Sequence, residues 1–266
     1  MQVLTVDFET YYDSDYSLSK MQTDAYIMDR RFEVIGVSVA VDDDDPMWFS
    51  GPLSETRAWL SQFDWDNAVR CHNTMFDGFI LSHVFGINPK LWMDTVAQAR
   101  MLHPDLPSHS LASMAKYYNL PAKGTAVVKA LGNHRVDFTP DELQEYADYC
   151  THDTALCREI GKRMDKFTPG LELKLIDMTV RMFTQPAIVG DLALMEKLYT
   201  DEVTRKEELL RKAAIDREVI MSNDKLARAL RALGIQAPTK ISKTTQKETW
   251  ALGQNDPEFI ELMEAH

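Results

Sequence analysis

The sequence predicts an α/β layered fold, on three observations. Strand-like apolar runs crowd its N-terminal part, helical character takes over after Asp94, and a long helix is bracketed by a start signal at Thr139-Pro140 and a break at Pro169-Gly170. A sheet laid down first and helices packed on it afterwards describe an α/β or α+β arrangement.

Taken in order, Val3–Phe8, Val34–Val41 and Met47–Phe49 are rich in β-branched and aromatic residues and predict an antiparallel meander. The intervening DDDD run, Asp42 to Asp45, precedes Pro46 and reads as a solvated turn, since neighbouring acids point in different directions. Glu55–Phe63 predicts a short helix capped by Ser54, Ala68–His72 a strand, and Met75–Phe85 a helix. Asp94–Leu102, Ser110–Tyr118 and Pro140–Lys166 follow as helices, with Asp94 capping the first. The last starts at Thr139-Pro140-Asp141-Glu142, where Thr139 can cap, Pro140 fits the first turn and Glu142 can reach back. Residues 171–266 are helical in character, apart from a polar loop over Ala237–Gln246. The domain boundary is expected near Gly170, giving 1–169 and 170–266.

The net charge of -12 opposes nucleic-acid binding on its own, but the charge is uneven. Six Lys or Arg and no acid lie between Lys225 and Lys247. A carboxylate pocket for metal beside a basic grip, or an acidic protein with a basic tail, fits equally. No apolar run approaches the roughly 20 residues of a spanning helix, and the N-terminus lacks the pattern of a secretory signal. Cys71, Cys150 and Cys157 show no CxxC spacing, so packed thiols in a reducing cytoplasm are expected.

Asp7 and Glu9 lie two apart in an apolar strand, which puts both carboxylates on one face. Their repulsion calls for a cation, and magnesium prefers such oxygen ligands; an edge strand with a solvated acidic face is an equal reading. Asp77 stands three residues after Thr74 and by itself reads as the acid of a capping box. Tyr149 and Asp153, four apart, share one helix face with Leu143, Tyr146, Leu156 and Ile160. A buried Asp there needs compensation, which metal would supply; a surface Asp beside a packed Tyr is the plain alternative.

The order and spacing of these elements are more specific than any one of them. Asp7-Phe8-Glu9-Thr10, then Asn73-Thr74-Met75-Phe76-Asp77, then Tyr149-Cys150-Thr151-His152-Asp153 resemble the three motifs of the DEDD superfamily of exonucleases. These are Asp-x-Glu, Asn-x-x-(Phe/Tyr)-Asp and Tyr-x-x-x-Asp, in the DnaQ-like group. The histidine subclass would need His where Asp148 stands, so the tyrosine subclass is the one resembled. The resemblance covers about Met1 to Lys166. Beyond it, Leu171–Leu210 resembles the helical entry to the polymerase domain of family A DNA polymerases, those of phages above all. Lys225–Gly234 and the polar segment after it resemble their thumb.

The resemblance implies a ribonuclease-H-like mixed sheet flanked by helices, followed by a smaller all-helical region. It implies a proofreading 3′→5′ DNA exonuclease using two Mg²⁺ ions, with Mn²⁺ able to substitute. Asp7, Glu9, Asp77 and Asp153 would hold the metal, and Tyr149 would orient the attacking water. Thr10 would meet the substrate. Phe8 and Phe76 would act as wedges against it or pack in the core, and Asn73 would hold the helix start or bond the terminal nucleotides. Lys123 and Lys129 would lie on solvated surface or meet backbone phosphates. The expected partners are a single-stranded DNA 3′ end or primer-template and the remainder of a polymerase, since the palm motifs are absent. The chain is expected to be monomeric, without a membrane, and in the cytoplasm, that of a bacterial host if phage-encoded. An RNase D-type RNA exonuclease shares all three motifs, and the thumb-like C-terminal part favours DNA. A catalytically inert DNA-binding scaffold is the non-enzymatic alternative.

Overall fold

A computed structural model describes residues 1–124 and 130–265. They form two compact units, Met1–Ile188 and Val189–His266.

The first unit is built on a five-stranded mixed sheet of order β3-β2-β1-β4-β5. β1 (Val3–Thr10), β2 (Val34–Val41) and β3 (Met47–Phe49) form the expected antiparallel meander. β4 (Ala68–Cys71) joins the other side of β1 in parallel, and β5 (Leu91–Asp94) extends it, also in parallel. β5 escapes a periodicity reading because Leu-Trp-Met-Asp is too short to alternate and runs straight into a helix.

α1 (Thr23–Ile27) carries the buried Tyr26 and Ile27. α2 (Leu53–Leu60) starts one residue before the expected cap, so Ser54 lies inside its first turn and Pro52 takes the cap position without a side-chain bond. α3 (Thr74–Phe79) continues as a π-helical turn, Ile80–Val84. The capping box expected at Thr74 does not form. Thr74 Oγ1 donates to the Met93 carbonyl at 2.7 Å, because the tertiary partner on β5 is nearer than the helix start.

α4 (Thr95–Leu102) is capped by Asp94, whose Oδ1 accepts from Val96 N–H at 2.8 Å, and α5 (Leu111–Tyr117) by Ser110. α6 (Pro140–Asp165) has the predicted capping box, with Thr139 N–H donating to Glu142 Oε2 at 2.9 Å. It lies across β1 to β4. Leu156, Ile160 and Met164 on α6 pack with Ala99 and Met114 of α4 and α5.

Pro169-Gly170 is a helix start and not the end of the unit. α7 (Gly170–Thr184) covers the open edge of β5, with Asp177 Oδ1 accepting from Trp92 N–H at 2.8 Å and Arg181 reaching the Pro89 and Lys90 carbonyls. The compact units therefore divide after Ile188, later than the composition break suggests.

Arg70 of β4 is 2% exposed and pairs with Asp165 at the end of α6. Gly161 makes room for it, since a Cβ there would overlap the guanidinium. Gly161→Ala should cost about 2–4 kcal/mol, from overpacking and a disturbed buried ion pair. A urea midpoint equal to wild type would show that Arg70 can vacate the site freely.

The second unit contains α8 (Leu192–Ala213), α9 (Arg217–Ile220), α10 (Asn223–Ala232) and α11 (Pro257–Ala265). The expected polar loop contributes a strand, β6 (Thr239–Ile241), that pairs with β7 (Glu248–Trp250). Its small core holds Ala227, Ala237 and Leu252, and Trp250 Nε1–H donates to Asp224 Oδ1 at 2.6 Å. No described helix is long and apolar enough to cross a membrane.

Candidate active site

The site forms where β1 outruns its parallel neighbour. The β1–β4 ladder ends at Thr5 opposite Arg70, while β1 continues to Thr10. The N–H of Phe8 lies beyond that ladder, and Asp77 Oδ1 accepts from it at 3.0 Å. Asp77 thus reaches back from α3 to close the gap between strand and helix. On the other side of β1 the register with β2 shifts between Glu9 and Thr10, the kind of irregularity that re-aims side chains beside a site.

Asp7, Glu9, Tyr149 and Asp153 line one cleft of about 420 Å³. The strand supplies the first two as a same-face pair, and α6 supplies the others one turn apart. Asp7, Glu9 and Cys150 offer donor atoms that all lie within 4.8 Å of one another. Asp77 is close electrostatically and buried, held by the Phe8 N–H, but is not on the cleft wall.

The electrostatics show a site short of positive charge. Burial first, and the neighbouring Asp153 charge second, push the Asp7 carboxyl up to about 7. Burial and the Asp7 charge hold Glu9 and Asp77 well above the usual carboxylate range. Asp153 Oδ1 is buried with no hydrogen-bond partner. Converging carboxylates that resist ionisation and an orphaned carboxylate oxygen form a donor set that fits a divalent cation. Burial, then the Asp153 charge, raise the Tyr149 phenol far above its ordinary value.

Of the expected substrate contacts, Thr10 and Phe76 line the cleft, and Thr10 Oγ1 is 2.8 Å from the Tyr26 hydroxyl. Phe8 borders the cleft, but its ring is core, stacked on Phe85 at 5.8 Å between centroids. Asn73 is exposed and off the cleft. It sits at φ 73°, a left-handed position that Asn tolerates, and makes the turn from β4 into α3. Lys123 is at the cleft, paired with Asp153. Lys129 lies outside the described residues.

Sequence reasoning missed two supporting residues. Tyr146 O–H donates to Glu9 Oε2 at 2.7 Å, and Cys150 Sγ is 3.4 Å from Asp7 Oδ2. A signal was present: Tyr146, Tyr149, Cys150 and Asp153 are spaced i, i+3, i+4, i+7, one stripe of α6.

The sequence matches no protein-family model and no curated protein. Solved structures share its fold. Trypanosoma brucei RNase D aligns with a TM-score of 0.51 and 16% identity, covering 71% of this chain and 68% of that one. A mutant of the catalytic core of RRP6 from Trypanosoma brucei aligns with a TM-score of 0.50 and 15% identity, covering 87% and 58%. A Trypanosoma brucei RNase D–GMP complex aligns with a TM-score of 0.50 and 14% identity, covering 71% and 60%. The first unit therefore shares their fold, a ribonuclease-H-like mixed sheet flanked by helices. The resemblance to family A polymerases rests on the sequence alone.

Proposed function

We propose that this chain is a metal-dependent 3′→5′ exonuclease that removes nucleoside 5′-monophosphates from single-stranded 3′ ends, with DNA as its substrate. The observation that carries this reading is the convergence of Asp7, Glu9, Tyr149 and Asp153 on one cleft, where burial and mutual repulsion raise the Asp7 and Glu9 carboxyls.

Asp7, Glu9 and Asp153 would hold Mg²⁺, with Asp77 acting through water. Bound there, the metal would supply an activated water and neutralise charge on the leaving oxygen. Tyr146 fixes the orientation of Glu9 through its 2.7 Å hydrogen bond. Tyr149, kept protonated by burial and by Asp153, can donate a hydrogen bond that orients the attacking water but cannot take its proton. Thr10 and Phe76 wall the space for the terminal nucleotide. Hydrolysis adds water across the last P–O3′ bond, releasing the monophosphate and leaving a 3′-hydroxyl. The GMP complex among the similar structures supports a nucleoside monophosphate as product.

DNA is favoured by the thumb-like sequence of Lys225–Gly234, which would make trimming a proofreading step of a polymerase. RNA is the second reading, favoured by RNase D among the proteins of like fold. The test uses 5′-labelled single-stranded DNA and RNA of equal sequence, with Mg²⁺ or EDTA. A ladder shortening from the 3′ end with Mg²⁺, faster on DNA, is expected. Faster RNA trimming would overturn the choice of substrate, and no trimming of either would overturn the nuclease.

A further inference from the structure

Lys123 is the basic side chain on the cleft wall among the described residues. Its Nζ lies 2.7 Å from Asp153 Oδ2 and 5.3 Å from the centroid of the Tyr149 ring. The backbone on either side is fastened to the same helix. The Ala122 carbonyl accepts from His152 Nε2–H at 2.9 Å, and Gly124 packs on the Tyr149 ring so closely that a Cβ would stand 3.0 Å from Cδ2. Residues 122–124 thus form a strap across the Tyr149–Asp153 face, with the ammonium delivered to the third carboxylate. The other oxygen of Asp153 has no partner.

We propose that Lys123 is an internal stand-in for the divalent cation, neutralising Asp153 until metal binds and competing with metal for that carboxylate. This rests on the reading of the cleft as a metal site. The strap brings one positive charge to a cluster that burial and mutual repulsion leave short of it. A cation held by Asp7, Glu9 and Asp153 would meet the ammonium as a like charge at close range, so Lys123 must swing away from Asp153 as metal enters. The lysine is one-third exposed on its side chain, which leaves it room to move. Its effect is to weaken metal binding by the free protein while sparing it an unpaired buried carboxylate.

The test compares wild type, Lys123→Met and Lys123→Arg by calorimetric Mn²⁺ titration without nucleic acid and by melting in EDTA and in Mn²⁺. Lys123→Met should bind Mn²⁺ about tenfold more tightly. It should melt below wild type in EDTA and draw level in saturating Mn²⁺. Lys123→Arg, keeping the charge, should stay near wild type in both. Unchanged or weaker Mn²⁺ binding by Lys123→Met would overturn the stand-in, as would a melting deficit that persists in Mn²⁺, the mark of a merely structural lysine. Asp7→Asn separates the two levels. Mn²⁺ binding by wild type that Asp7→Asn abolishes keeps the metal site standing even if Lys123 proves irrelevant, whereas no binding by any variant overturns the metal site and the stand-in together.

Discussion

Asp153→Asn should lower Mg²⁺-dependent trimming by on the order of 10³-fold while leaving the fold intact, and Asp7→Asn should do the same. Both changes keep side-chain volume and remove one negative charge from the cluster proposed to hold cations. The double variant should lose little more than either single one, because residues that act as one unit do not add. Asp77 separates anchoring from charge. Asp77→Ala leaves the Phe8 N–H unpaired and should cost about 1–3 kcal/mol of stability. Asp77→Asn keeps an acceptor for that N–H, so it should melt no lower than wild type and still lose activity. Single-turnover rates and urea unfolding on the same preparations provide both readings. Undiminished trimming in Asp153→Asn would remove α6 from the catalytic site.

These expectations draw on parts of the site that differ in how far the sequence revealed them. The Asp7–Glu9 pair was legible because strand alternation is local, and so was the start of α6, where cap, proline and acid stand within four residues. Helical spacing put Tyr149 and Asp153 on one face, and the motif resemblance made them site residues. What escaped depends on chain segments that return from a distance. The resemblance marked Asp77 as a ligand, but its anchor on β1, an N–H that β4 is too short to bond, was not legible. Lys123 reads as a surface lysine until the strap lays it on Asp153. The fold of the first unit was legible in its meander and long helix. Its true extent was not, because α7 belongs there through its grip on the edge of β5, which composition does not encode. Asn73, read as a substrate contact or as holding the helix start, takes the left-handed turn that begins α3.

Without metal, the first unit should lose stability as pH rises from about 4 through about 7, and Mg²⁺ should reverse the loss. The sign follows from Asp7. Its carboxyl titrates near 3.8 when unfolded and is raised to about 7 in the fold. Between those values the folded state holds a proton that the unfolded chain has released, so stability falls with rising pH. A shift of this size corresponds to roughly 3 kcal/mol once water in the cleft is allowed for. Glu9 and Asp77 are shifted in the same direction and add to the slope. Above pH 7 the ionised cluster binds a cation well, so Mg²⁺ at a hundred times its dissociation constant should return about 2.7 kcal/mol. Below pH 5 it should return little, because binding must first expel the proton. Asp7→Asn should melt above wild type at pH 8 in EDTA and gain nothing from Mg²⁺, the reverse of its effect on activity. Scanning calorimetry of both proteins across this range measures the difference directly, cancelling the surface carboxylates they share. A wild-type melting temperature that falls below the variant's only at low pH would contradict the burial of an un-neutralised Asp7, and with it the reason for placing a cation in this cleft.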